Sequence, residues 1–312
     1  MKTKAFIYIV VAGILWGTSG LFVNALSPYG FTTFQMTAMR GLVSCIGMAL
    51  YAFLTDRSLF RCKAFDFIFF IPIGATLFAT AALYYASMTM TSVSTAVVLM
   101  YMAPVYVMIF SVLFLGEGFS FLKISSVAAM LIGCCFVSGI IGGIAFNAIG
   151  ILLGILAGFS YATYNVVTKI ALKRGINAVT ATVYSFIVMA IIALSVSKPH
   201  QIVTKAAENP IATLPLLIGL GVVTFVIPYF LYTLAMRDLP AGTAAALGIV
   251  EPMAATVFSI IFLGEKLKML PAIGIALILG AVFALGKAEG GDRKNNITES
   301  TSEEKEYELH QN

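Results

Sequence analysis

Long apolar runs alternate with short polar breaks along most of the chain. The pattern predicts ten segments, at about 5–26, 31–54, 66–89, 92–115, 121–141, 147–169, 178–196, 211–236, 241–263 and 268–287. Each is close to the roughly 20 apolar residues that a helix needs to cross a bilayer. The runs are continuously apolar, without the in–out alternation of barrel strands, so helices are expected. After Lys287 the pattern changes to Glu, Lys, Asn, Ser and Thr. A segment of that composition buries too little apolar surface to fold, and 288–312 is expected to be a disordered tail.

Charge sharpens this picture. Only 11% of the 312 residues are charged, against about 25% in soluble domains, and the mean hydropathy is +0.98. Seven of the 14 acidic residues lie after Gly286, which leaves seven acids and 15 bases in the first 286 positions. A soluble enzyme, a nucleic-acid binder and a secreted disulfide scaffold are excluded; the lipid bilayer is the expected partner. With the N-terminus inside the cell, the inner loops and tails hold 14 Lys and Arg and the outer loops four, Lys198, Lys205, Lys266 and Lys268. The positive-inside rule then puts both termini in the cytoplasm, as an even number of spans requires. Cys45, Cys62, Cys134 and Cys135 lack metal-ligand spacing and read as free thiols. Gly17-Thr18-Ser19-Gly20 resembles the serine motif of intramembrane proteases, but His200 and His310 both lie in polar segments, so no span offers a general base. No phosphate loop, metal site or cofactor motif is present.

The strongest signal is an internal repeat. Shifted by 148, residues 95–117 and 243–265 share ten of 23 identities, ending in Phe114-Leu115-Gly116-Glu117 and Phe262-Leu263-Gly264-Glu265. Shifted by 141, residues 12–26 and 153–167 share six of 15, among them Gly17/Gly158 and Asn24/Asn165. The copies imply units at 1–141 and 142–287, each of five spans. Five is odd, so the second copy enters the membrane inverted, a transporter design with substrate bound near the midplane between the halves.

Buried charge costs on the order of 3 kcal/mol per residue on insertion scales, and only Arg40 and Glu251 lie deep in spans. At about 1.5 Å per residue each is near the midplane. They read as substrate contacts, with Glu251 the candidate proton carrier, or as a structural ion pair. Pro104 and Pro252 occupy matched mid-span positions and should kink their helices. Trp16, Tyr85, Tyr101, Tyr161 and Tyr164 are candidate cavity aromatics, while Tyr229 and Tyr232 read as interfacial anchors. Asn24 and Asn165 read as interhelical hydrogen-bonding groups or as gates. Gly13, Gly17, Gly20, Gly154 and Gly158 read as close-packing positions. Glu117 and Glu265 read as favouring the N-terminus of the span that follows each.

The Trp16-Gly17 pair, Arg40, the proline followed by a Phe-Leu-Gly-Glu block in each half, and Glu251-Pro252 together resemble the EamA family of the drug/metabolite transporter superfamily, over about 5–286. Members often carry a proline about eight residues before the span-two arginine; here Thr32 and Thr33 stand in that region. The resemblance implies an all-α membrane protein of ten helices in two inverted five-helix repeats around a central cavity. It also implies a secondary active transporter in the plasma membrane, exporting amino acids or related metabolites by alternating access. The residues leave other readings open: an organic-cation or quaternary-amine carrier, even an importer, and more remotely a lipid scramblase or membrane enzyme. Substrate identity, proton coupling and homodimer formation are left open too.

Overall fold

The computed structural model describes residues 2–118, 120–140, 147–264, 266 and 268–287. Ten helical spans cross it: α1 (Lys2–Tyr29), α2 (Thr33–Thr55), α3 (Ala64–Met90), α4 (Val93–Leu115), α5 (Phe121–Ser138), α6 (Ala148–Lys173), α7 (Ala178–Val196), α8 (Pro210–Ala235), α9 (Ala241–Leu263) and α10 (Met269–Lys287). No strand occurs among the described residues. Lys2 and Lys287 lie on one face of the bundle, called here the terminal face; the opposite one is the far face. Large apolar side chains such as Leu113, Phe114, Ile191 and Phe283 stay exposed on the outside, as lipid contact demands. The tail and Glu265 fall outside the described residues.

Local chemistry sets the helix starts. Thr32 and Gln35 form a reciprocal capping box, with Gln35 N–H donating to Thr32 Oγ1 at 3.3 Å and Thr32 N–H to Gln35 Oε1 at 3.0 Å. That box begins α2 at the place where a proline was the alternative. Ser92, Ser120 and Asn147 cap α4, α5 and α6 with their side-chain oxygens. One helix is additional to the sequence reading. Pro199–Glu208 lies between α7 and α8 with Pro199 at its first position. Its Lys205 donates to Gly30 O (2.5 Å) and Gln35 Oε1 (3.1 Å), which ties it over the α1–α2 turn.

Two glycine crossings position the centre. A Cβ on Gly17 of α1 would lie 2.7 Å from Ala254 Cβ, 2.8 Å from Ala255 N and 3.0 Å from Glu251 O of α9. A Cβ on Gly158 of α6 would lie 3.0 Å from Leu99 O and 3.1 Å from Met100 O of α4. These are counterpart glycines of the repeat, each pressed on the middle of a discontinuous helix. The expected kinks in α4 and α9 are breaks in the α-helical ladder bridged by one tighter turn, with Met102 N–H donating to Leu99 O at 3.3 Å and Ile249 N–H to Ala246 O at 3.0 Å. α4 breaks at Tyr101–Met102 and restarts at Ala103 with Pro104 in its first turn. α9 breaks at Gly248–Ile249 and restarts at Val250 ahead of Pro252. A proline denies an N–H to the carbonyl four residues back and crowds it, so the break falls just before each one.

Crowding at the crossing makes a test. Gly17→Ala places a methyl group against backbone and should lower stability by about 1–3 kcal/mol. Gly20→Ala, with no neighbouring heavy atom within 4 Å of the added carbon, should leave the melting temperature unchanged or raise it. Thermal unfolding of the purified protein in detergent compares the two.

Candidate functional site

Between the halves lies a cavity of about 780 Å³. Its walls come from the far half of α1 (Trp16 to Val23), α2 (Thr33, Arg40), α3 (Leu77 to Met88), α4 (Val93 to Tyr101) and α9 (Gly248 to Ile260), with Tyr161, Phe225 and Tyr229 beneath. Lys266 and Lys268 stand at its mouth. The cavity therefore opens on the far face.

Arg40 is 8% exposed. Its Nη1 donates to Tyr85 Oη at 3.3 Å, and its guanidinium carbon lies 5.9 Å from the Phe225 ring centroid. Its Nε is buried without a hydrogen-bond partner among the described residues, as are Trp16 Nε1 and Tyr101 Oη. Glu251 sits one residue into the second segment of α9, directly after the break. Gly17 packs against its carbonyl, so the α1–α9 crossing fixes where the carboxyl projects. No ion pair joins Arg40 to Glu251 among the described residues. The two deep charges thus both line one cavity, within electrostatic reach of each other and without direct contact.

The floor is aromatic. Trp16 meets Tyr229 at 5.1 Å and Tyr232 at 5.4 Å between ring centroids; Tyr164 meets Tyr161 at 5.9 Å and Tyr229 at 5.8 Å. Tyr232 Oη donates to Asn165 Oδ1, and Asn165 Nδ2 donates to Tyr161 O at 2.7 Å. Below the floor, every residue of Ala241–Leu247 in α9 is buried. There Lys169 Nζ donates to Met236 O at 2.6 Å and Leu239 O at 2.7 Å. The terminal half of the bundle is therefore closed.

Of the seven candidate substrate contacts, Trp16, Arg40, Tyr85, Tyr101, Tyr161 and Glu251 line this cavity. Tyr164 does not; it lies under the floor, 2% exposed, because its ring stacks between Tyr161 and Tyr232. Asn165 is fully buried and bridges α6 to α8, while its repeat counterpart Asn24 is exposed and has no hydrogen-bond partner among the described residues. Tyr229 and Tyr232 are not interfacial anchors. They share one face of α8 with Phe225, at i, i+4 and i+7, and that face turns toward α1 and α6 rather than lipid. That spacing was the signal available in the sequence. Lys169, counted as a loop base, is 7% exposed. Glu117 does not serve the helix after it, whose cap is Ser120; it accepts from Ala241 N–H of α9 at 3.2 Å. The thiols of all four cysteines are free. Ser19 Oγ donates to Trp16 O at 2.5 Å, so the hydroxyl of the protease-like motif is held by its own helix.

The chain matches the model of the EamA-like transporter family twice, over residues 3–139 and 148–286. It is 28% identical to an uncharacterized transporter of Archaeoglobus fulgidus over 279 residues, covering 88% of this chain and 93% of that one. The uncharacterized transporter YwfM of Bacillus subtilis is 24% identical, with 90% and 93% covered. An uncharacterized transporter of Clostridium kluyveri is 23% identical, with 96% and 99% covered. A solved crystal structure that is 16% identical superposes with a TM-score of 0.76 over 91% of this chain and 96% of that one, and shares the fold.

The Asn165 bridge can be probed directly. Asn165→Leu strands the buried Tyr232 hydroxyl, and should cost about 1–3 kcal/mol of stability. Adding Tyr232→Phe removes the orphan and should recover part of that loss, which a double-mutant thermal unfolding series reads out.

Proposed function

The chain belongs to the EamA-like transporter family, and from that premise we propose that it is a secondary active transporter of small carboxylate-bearing metabolites, amino acids foremost. The observation that carries this is Arg40: a buried, cavity-lining guanidinium with an open donor and no carboxylate partner among the described residues. Guanidinium matches a carboxylate through parallel N–H donors, and Tyr85 holds one arm of it in place. Glu251, across the same cavity, is the partner for a substrate ammonium group. Trp16, Tyr101, Tyr161 and Tyr229 supply apolar and stacking surface for the rest of the molecule.

Transport proceeds by alternating access. The two copies of the repeat occupy opposite environments: Val93, Ser94 and Val97 of α4 line the open cavity, whereas their counterparts Ala241, Gly242 and Ala245 of α9 are buried. Exchange of those environments would close the far face and open the terminal one around Arg40 and Glu251. With the termini in the cytoplasm, an orientation the Lys and Arg distribution supports, and the protein in the plasma membrane, the described state faces outward. In the export direction the substrate loads from the cytoplasm and leaves through this cavity. Proton binding to Glu251 would displace the substrate ammonium and couple release to the proton gradient.

An organic-cation carrier is the second reading, favoured by the aromatic lining. It is disfavoured by charge: Arg40, Lys266 and Lys268 outnumber Glu251, the one carboxyl lining the cavity among the described residues.

A thermal-shift screen with amino acids, carboxylates and quaternary amines separates the two. A ligand at 100 times its Kd adds about 2.7 kcal/mol to the folded state. An amino acid should raise the melting temperature of the parent and of neither Arg40→Gln nor Glu251→Gln. Uptake of that compound into everted vesicles should then depend on a pH gradient. A shift by quaternary amines alone that survives Arg40→Gln overturns the carboxylate reading.

A further inference from the structure

We propose that Glu117 is a cross-repeat latch that holds the terminal face closed by capping the buried start of α9. The function proposed above gives the latch its consequence, a bias toward the state open on the far face. The latch itself stands on the contacts alone.

The first-half block Leu115-Gly116-Glu117 forms a short strap at the end of α4. Gly116 takes φ +64°, which turns the chain, and Glu117 N–H returns to Ser111 O at 3.1 Å. Two groups of the second half hold this strap. Lys173 Nζ of α6 donates to Leu115 O at 3.0 Å, and Ala241 N–H of α9 donates to Glu117 Oε1 at 3.2 Å.

The need for the second contact follows from the repeat. The first N–H groups of a helix have no partner within it. In the first half, α4 solves this with its own residue: Ser92 Oγ accepts from Thr95 N–H at 3.1 Å. The counterpart of Ser92, 148 positions on, is Pro240, which has no side-chain acceptor. α9 starts buried, with every residue of Ala241–Leu247 covered by protein. Its cap comes from the other half of the molecule. Separation of the halves on the terminal face therefore breaks this cap, whereas movement of the α4 start on the far face carries Ser92 along with its helix. Glu117 Oε2 is buried with no partner among the described residues, so the carboxylate is engaged on one oxygen only and the latch remains releasable.

The test is cysteine labelling without any substrate, on the full chain in nanodiscs. Cys45, Cys62, Cys134 and Cys135 are first replaced by alanine. One reporter is Ser259→Cys, on the cavity wall; the other is Thr233→Cys, 3% exposed below the floor. Glu117→Ala should speed maleimide labelling at 233 by about three- to tenfold, the span expected for one lost hydrogen bond, and slow it at 259 by a smaller factor, because 259 reports on the major state. Glu117→Gln, whose amide oxygen still accepts, should label like the parent. Ala241→Pro removes the donor instead and should mimic Glu117→Ala; the backbone of Pro240, φ −57° and ψ 148°, is already that of a residue preceding proline. If Glu117→Ala does not purify in a folded form, Lys173→Met, which removes the exposed second tie, should give the same shift in the same directions. Parent-like rates at both reporters in the alanine variant, or in Lys173→Met where it stands in, overturn the latch. So does a glutamine variant as altered as the alanine one. Labelling needs no ligand, so a failed latch leaves the substrate reading standing, and a screen without ligands leaves the latch standing.

Discussion

In a hydrocarbon solvent every backbone N–H and C=O must find a partner within the protein, and the rest of this structure depends on how that rule is met beside the mid-span prolines. At Tyr101–Met102 in α4 and Gly248–Ile249 in α9 the helix tightens by a residue, with Met102 N–H donating to Leu99 O and Ile249 N–H to Ala246 O. Both lie at mid-span, and both adjoin the cavity between the halves. Interrupted helices at membrane depth are tolerated where they line such a space or are covered by protein. Here the cover comes from glycine. Gly17 and Gly158 let α1 and α6 press directly on the backbone around each break. The prolines make the breaks, the glycines close around them, and Glu251 is delivered to the cavity as a result.

Much of this was legible in the sequence because the solvent leaves so little choice. Ten apolar runs give ten spans, since a bilayer sets their length. Arg40 and Glu251 were visible because a charge at that depth stands out against its neighbours. The repeat was visible because counterpart positions such as Gly17/Gly158 and Pro104/Pro252 do the same work in each half. What escaped notice depends on which face of a helix turns where. Tyr229 and Tyr232 were placed at a membrane interface by depth alone, whereas packing against Trp16 decides their role. Lys169 looked like a loop base because its ammonium is satisfied by carbonyls about 70 positions away in sequence. The helix Pro199–Glu208 is too short and too polar to register among long apolar runs.

The same distinction explains why the repeat is more informative where it fails than where it holds. Asn24 and Asn165 are identical residues at matched positions, yet one is exposed and the other bridges two helices. Tyr232, the donor in that bridge, has Tyr84 as its counterpart at the 148 offset, a residue on the cavity wall. Sequence symmetry therefore coexists with conformational asymmetry, as the proposed exchange between the halves requires.

That asymmetry need not be neutral. If the halves were energetically equivalent, closure on either face would cost the same, and ligands alone would set which state prevails. Ser92 and Pro240 break the equivalence. One half carries its helix cap with it, and the other borrows a cap from across the interface. A borrowed cap is lost only when the terminal face opens, so its whole contribution falls on the state closed there. Lys169 adds to the same side, since its two carbonyl partners hold the α8–α9 turn against α6 below the aromatic floor. A single serine-to-proline difference between the copies is thus enough to give a pseudo-symmetric molecule a preferred resting face.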